Sequence, residues 1–300
     1  MDGFDIFLLI QSIIQGAAIG SVYALVALGY SVIYSTMRMG HFAQGDFFMI
    51  GAQMGWWFLV KANVPLLVAI VCSVIGTSVL MLVVERITYR PLYSKVGIGL
   101  MMSTMGMQYV VQGIAKIIFG YQGVKMPPMF GDDNLTYPLF GGRVSLAHTD
   151  MMLMIICGSL MLILAVFMKY TKIGIAMSAV SMNRKAAQLM GVKLNTIIST
   201  TYIMAAALAA LAGVLIAPRL SVSYSMGISS GGKAMTAAVL GGFGNMPGAM
   251  LGGVLMGIIE NIGAFYVSTM YRDAFVFVVL IIILFWRPQG ILGRRIITKV

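Results

Sequence analysis

Few side chains in this 300-residue chain can do chemistry, and their spacing argues against catalysis. The two histidines, His41 and His148, are far apart, and neither sits at metal-ligand or triad spacing from a partner. There is no glycine loop followed by Lys-Ser or Lys-Thr to cradle a phosphate, and no HExxH for a zinc site. Cys72 and Cys157 both fall inside apolar runs and read as small hydrophobes. The informative polar residues are those embedded in apolar sequence. Gln11 and Gln15 are one helical turn apart, as are Gln108 and Gln112, and Glu260 with Asn261 lies deep in another apolar run. An acid in hydrocarbon is costly, so Glu260 is expected to face a bundle interior or cavity. It could serve a pathway or gate, or a structural hydrogen bond. Asp46 opens a helix, where a carboxylate meets the helix dipole favourably. Lys116 can snorkel to an interface.

The elements carrying these residues are membrane helices. Only 10% of residues are charged, 60% are hydrophobic, and mean hydropathy is +0.95. A soluble chain is about a quarter charged. Apolar runs recur at 8–35, 43–60, 64–84, 97–119, 150–169, 196–217, 248–267 and 273–287. Each is expected to be helical, because backbone groups in lipid must be satisfied within the segment. The stretch 121–149, with "MPPMFGDDN", reads as a loop. Gly16/Gly20, Ala205/Ala209/Gly213, Gly248/Gly252 and Gly253/Gly257 recur at steps of four. Such steps allow close helix approach, inside the bundle or at a subunit interface.

Charge sets the orientation. With residues 170–195 cytoplasmic, Arg38, Arg86, Arg90, Lys95, Lys169, Lys172, Arg184, Lys185 and Lys193 share that side. The outer side then holds Lys61, Lys116, Lys125 and Arg143 against Asp2, Asp5, Asp132, Asp133 and Asp150. This satisfies the positive-inside rule and accounts for the net charge of +11 without nucleic acid. The acidic N-terminus lacks the basic region of a secretory signal and should lie outside. The basic C-terminus should lie inside, which eight simple spans would not allow. The short stretch 233–242, "KAMTAAVLGG", therefore crosses as a buried helix, or enters as a re-entrant loop. The expected fold is an all-α polytopic membrane protein with about nine crossings: eight long helices and one short, glycine-flanked helix. It forms a single domain over 1–300, with a cytoplasmic loop at 170–195 and a periplasmic loop at 121–149.

The segment "TKIGIAMSAVSMNRKAAQLMGVKLN", residues 171–195, is basic and has no acid. A helix beginning near Thr171 or Gly174 would place Ala176, Ala179, Val180, Asn183, Ala186, Ala187 and Met190 on one narrow face. Gly191 would end it at C′. Small side chains suit close docking on protein better than insertion into lipid, which favours Leu, Phe and Trp.

Four stretches then carry a resemblance: "GAAIGSVYALVALGYSVIYSTMRMGHFAQGDFFMIGAQ", the basic segment, "AAVLGGFGNMPGAMLGGVLMGIIEN" and "RPQGILG". In this order, spanning 16 to 293, they resemble permease subunits of ABC importers for branched-chain amino acids, the LivH type. His41 stands where Asn is frequent in that family, and Asn183 where Asp is frequent. The resemblance implies a pore-forming subunit paired with a second, related permease and driven by two cytoplasmic ATPases. A periplasmic or lipid-anchored binding protein would deliver the solute. ATP and Mg would be used by the ATPases, and this chain would need no cofactor or metal of its own and carry no catalytic residue. The segment 171–195 would hold the coupling helix, with Gly174, Ala176, Ala179, Asn183, Ala186, Ala187, Met190 and Gly191 as its contact residues. Gln15, Glu260 and Asn261, with Gly241, Gly242 and Gly244, would lie along the pathway or its gate. The expected location is the bacterial inner membrane. Relatives that carry urea or short amides leave the solute open. A self-contained channel or secondary transporter gives no reason for the alanine-faced segment, and a membrane enzyme has only Glu260 and scattered polar groups to work with.

Overall fold

A computed structural model describes residues 6–93, 97–129, 134–139 and 142–293. Eleven helices run in order: α1 Ile6–Met37, α2 Gln44–Trp56, α3 Leu66–Val84, α4 Gly97–Phe119, α5 His148–Tyr170, α6 Lys172–Met182, α7 Arg184–Leu189, α8 Leu194–Ile216, α9 Met226–Gly241, α10 Met246–Tyr266 and α11 Arg272–Trp286. The first three long runs match the apolar sequence closely; α2 and α3 continue into π turns at Trp57–Lys61 and Glu85–Tyr89. By length and composition, five helical stretches can cross a membrane: Leu8–Met37, Leu66–Leu92, His148–Tyr170, Leu194–Ile216 and Met246–Tyr266.

The helices are sorted by packing, not by hydrophobicity. The apolar window of α1 is 89% buried inside the protein, whereas that of α5 is 22% buried, so α1 is central and α5 peripheral. On α3, Ser73 and Thr77 face inward, while Leu67, Val71, Ile75 and Val79 face out. This inverted polarity is what lipid demands: apolar side chains meet the acyl chains, and polar ones must find partners within. Ser73 Oγ donates to the Gly51 carbonyl at 2.6 Å.

The small-residue steps are spent inside the bundle. A Cβ at Gly16 would lie 2.7 Å from Ile258 Cα, and one at Gly20 would lie 2.7 Å from the Val254 carbonyl oxygen. Gly253 and Gly257 return these contacts against Ala24 and Gly20. Gly213 packs on Phe48, and Gly252 on Ala237 and Gly241. The choice between internal packing and a subunit interface is thus settled as internal for these positions.

Three expectations change. The loop at 121–149 contains an antiparallel hairpin, β1 Asn134–Leu139 and β2 Gly142–Ala147, in register from Asn134↔Ala147 to Leu139↔Gly142. The short helix at 233–242 instead begins at Met226, so "MGISSGG" is helical despite poor intrinsic propensity. Burial overrides propensity there: Gly227 and Gly231 lie directly against Gly45 of α2. Finally, the single helix expected across 171–191 is two helices, broken at Asn183.

Candidate functional site

At the end of the bundle where α5 finishes and α8 begins, the basic segment is shaped by caps. Thr171 Oγ1 accepts from Gly174 N at 3.0 Å and starts α6. Asn183 has extended backbone, and its Oδ1 accepts from Ala186 N at 3.1 Å, which starts α7. An asparagine satisfies an orphan N–H better as an N-cap than it serves a helix interior. Gly191, at φ +84, closes α7 with paired bonds from Val192 N to Ala187 O and from Gly191 N to Gln188 O. This is the Schellman arrangement, so Gly191 is the C′ residue expected from the sequence.

The break turns the alanine face. Gly174 and Ala187 are buried, and Ala176 and Ala179 pack on the apolar core. Asn183, Ala186 and Met190 remain exposed, joined by Met182 and Leu189; the last two are 83% and 88% exposed. The outward surface is therefore a small apolar tip, not the continuous alanine stripe.

Two arginines strap this segment to the end of α1. Arg38, in a left-handed conformation at φ +57, donates from Nη2 to the Ser181 carbonyl at 2.8 Å. Arg184 donates from Nε to the Thr36 carbonyl at 3.0 Å. Burial pulls the Arg184 guanidinium below the usual arginine range. Beside the strap, His41 is fully buried, with Tyr89 and Tyr202 rings each 5.3 Å away edge-on. Both of its ring nitrogens lack a hydrogen-bond partner among the described residues. Burial pushes the imidazole down to about 3, so it is neutral at physiological pH. Glu85, also buried, accepts from Tyr93 at 2.8 Å and Ser199 at 3.0 Å.

Gly241, Gly242 and Gly244 form the tight α9–α10 turn, and the structure does not bring them to Glu260. Gly242 (φ +107) lies against Gly290 and Gly293 of the "RPQGILG" stretch. Ile291 N donates to Leu240 O at 2.8 Å, Leu292 N to Gly241 O at 3.1 Å, and Asn245 Nδ2 to Leu292 O at 2.6 Å. These glycines are a clamped turn, separated from Glu260 by most of the length of α10. Gln15 is half-buried on α1 outside the cavity lining, and Asn261 Nδ2 donates to Ser12 O at 2.7 Å, pinning α10 to α1. Of the expected pathway residues, Glu260 lines a cavity shared with α1, α8, α9 and α11.

That cavity, about 490 Å³, lies at the other end of the bundle. It sits where α8 ends, α9 begins, α10 ends and α11 begins. Glu260 is fully buried; its Oε1 takes both Lys233 Nζ and Arg272 Nε at 2.7 Å. Lys233 Nζ also lies 2.6 Å from Asp273 Oδ1. Glu260 Oε2 has no well-formed hydrogen bond among the described residues, although the Tyr23 hydroxyl lies within reach of the carboxylate. A second pair, Arg219 Nη2 with Asp150 Oδ1 at 2.7 Å, joins α5 to the segment after α8. Asp46 is in the first turn of α2, as expected, but it also accepts from Gln112 Nε2 at 2.7 Å and so ties α4 to α2. Lys116 Nζ sits 4.3 Å from the Tyr224 ring centre. Sequence reasoning missed Lys233, Arg272 and Arg219. A lysine within "SSGGKAMTAAVLGG" was the available signal, because an intramembrane cation requires an anionic partner. Among the described residues, no group of His, Cys, Asp and Glu could hold a metal ion.

Comparison with known proteins identifies the lineage. The family model for the branched-chain amino acid transport system, permease component, matches residues 12–284. The chain is similar to the high-affinity branched-chain amino acid transport system permease protein LivH of Salmonella typhimurium, with 33% identity covering 97% of both chains. The LivH of Escherichia coli K12 gives the same identity and coverage. The BraD permease protein of Pseudomonas aeruginosa is 33% identical over 99% of both chains. Among solved structures, PsaBC from Streptococcus pneumoniae in complex with Fab aligns over 92% of this chain and 91% of its own, at 12% identity and TM-score 0.49, too distant to carry side-chain roles across. The match runs from the second turn of α1 through nearly all of α11 and includes both the strapped tip and the charged cavity, so the chain belongs to the branched-chain amino acid transport permease family.

Proposed function

We propose that this chain is the pore-forming, non-catalytic subunit of an ATP-driven importer of branched-chain amino acids in a bacterial inner membrane. The observation that carries the solute class is the similarity to LivH permeases over almost the entire chain. The partners would be a second permease of the same family, two cytoplasmic ATPases and a substrate-binding protein. Nine helices (α1–α5 and α8–α11) would cross, with the N-terminus outside and the strapped tip in the cytoplasm. Three of these helices are short: α2, α9 and α11, with 13, 16 and 15 residues, rise only about 20, 24 and 23 Å, less than a hydrocarbon core of about 30 Å. For α9, burial between α1, α2 and α10 is what allows so short a crossing.

The tip formed by Met182, Ala186, Leu189 and Met190 would seat on an ATPase. The straps from Arg38 and Arg184 would pass its displacement to α1, and the glycine contacts would pass it on to α10. Co-purification with the ATPases, followed by ATP-dependent leucine uptake in vesicles, tests this. Ala186→Trp should leave the chain folded in the membrane and abolish ATPase association and uptake; unaltered association would mean that the tip is not the docking surface. Ala179→Trp should instead lower the yield of folded protein, since Ala179 packs on the core.

A further inference from the structure

The charged cavity has properties that a passive channel wall does not need. Both signs of charge are held in one space. Two cations converge on Glu260 Oε1, and the Tyr23 hydroxyl lies within reach of the carboxylate, while Oε2 has no well-formed hydrogen bond among the described residues. The Glu260 side chain is 0% exposed, so this oxygen is met only when the cavity lining shifts to admit a group. A buried acceptor left in this way is costly unless a group from outside completes it. The Arg219 and Arg272 side chains are 26% and 30% exposed, and each ion pair engages one nitrogen of the guanidinium. A guanidinium carries five donors, so both forks keep N–H groups for a second carboxylate. The same cavity has an apolar wall of Ile19, Ile216, Leu220 and Met226.

We propose that this cavity is an amino-acid-binding site within the permease itself. Glu260 Oε2 takes the α-ammonium group, Arg219 and Arg272 take the α-carboxylate, and Ile19, Ile216, Leu220 and Met226 take a branched aliphatic side chain. The assignment rests on the import reading for its solute and adds that the permease, and not only a delivering protein, selects for the zwitterion. A neutral amide of the same shape would gain neither contact and would leave the buried groups as unpaired as before. Rejection of analogues lacking a charged partner is therefore expected to be strong, because sites built of buried polar groups discriminate steeply against ligands that cannot pair with them.

The test uses the full chain in lipid nanodiscs and saturation-transfer NMR. The probes are L-leucine, leucinamide, which lacks the carboxylate, and 4-methylpentanoate, which lacks the ammonium. Leucine should bind, and each single-charge analogue should bind roughly tenfold or more weakly. Glu260→Gln should weaken leucine and leave 4-methylpentanoate unchanged or tighter. Because loss of Glu260 leaves Arg272 unpaired and can prevent folding, Leu220→Trp provides a second arm. It fills the apolar wall, keeps every charge, and should abolish leucine binding in protein that still elutes as a single species. Equal binding of all three probes, or leucine binding unaffected by Leu220→Trp, overturns the site. ATP-driven leucine uptake by the assembled transporter, measured in parallel, separates the two readings. Uptake without binding in this cavity sinks the site alone, and binding without ATP-driven uptake sinks the importer alone.

Discussion

The two ends of the bundle treat their cations differently. At the cavity end, Lys233, Arg272 and Arg219 are matched by carboxylates. At the strapped end, Arg38 and Arg184 are matched by backbone carbonyls of Ser181 and Thr36. A carboxylate partner can be exchanged for another carboxylate at little net cost, so the first arrangement suits a surface that admits and releases a charged solute. A backbone carbonyl has no such competitor. It fixes one chain segment to another, which is what the proposed coupling from the tip to α1 requires. The ends are about 35 Å apart along the 23 residues of α8, so the load between them must travel through helices that cannot slip. The α1–α10 contact, glycine packed on backbone, is the most extensive of these.

Substitutions can break this contrast in order of effect. Glu260→Leu should cost the most, about 3–5 kcal/mol in thermal stability, because it strands Arg272 and leaves Lys233 only the exposed Asp273 as a partner. The paired change Glu260→Gln with Lys233→Gln should recover most of that, and failure to recover would mean that Arg272 alone drives the penalty. Arg184→Met should cost about 1.5–3 kcal/mol through its lost charged hydrogen bonds. Its telling readout is faster amide exchange across 172–189 with the cavity unaffected.

The strapped end should also be the acid-sensitive one. His41 has its folded-state pKa depressed to about 3 from an ordinary 6.5, so its contribution is full above 6.5 and fades as pH falls. At pH 5 the loss is about 2 kcal/mol. His41→Asn should remove that part of the acid limb in a thermal-inactivation series from pH 7 to pH 5. The smallest change is Asn183→Ala, which should cost about 1 kcal/mol by uncapping α7 and should loosen the tip without altering the cavity.

Much of this architecture was legible in the sequence because lipid simplifies the reading. The run 97–119 is the helix Gly97–Phe119, and 64–84 differs from Leu66–Val84 by two residues. Gly191 was readable as a helix stop because a positive φ follows from its place after a periodic stretch. The break at Asn183 was hidden by that same periodicity: small residues at steps of three and four continue through it, and only the capping preference of asparagine marks the boundary. The cavity was half legible. Glu260 stood out as a charge in an apolar run, but its partners come from α9 and α11, and no local pattern reports a tertiary ion pair. The glycines at 241, 242 and 244 were legible as irregular backbone, but not the contacts that shape it: Gly241 and Gly242 lie against Gly248, Gly290 and Gly293, and Gly244 lies against Tyr34.

That turn has a consequence for how the protein is made. The carbonyls of Leu240 and Gly241 are met by the amides of Ile291 and Leu292, about fifty residues later in the chain. During synthesis, the α9–α10 hairpin enters the membrane with these groups unmet, and it stays so until α11 has been threaded and the following segment has emerged. Insertion of the last third of the protein is therefore completed from its far end. A ribosome stalled, or a chain cut, just before Pro288 should release a molecule with α1–α11 all present and its α9–α10 turn unsealed.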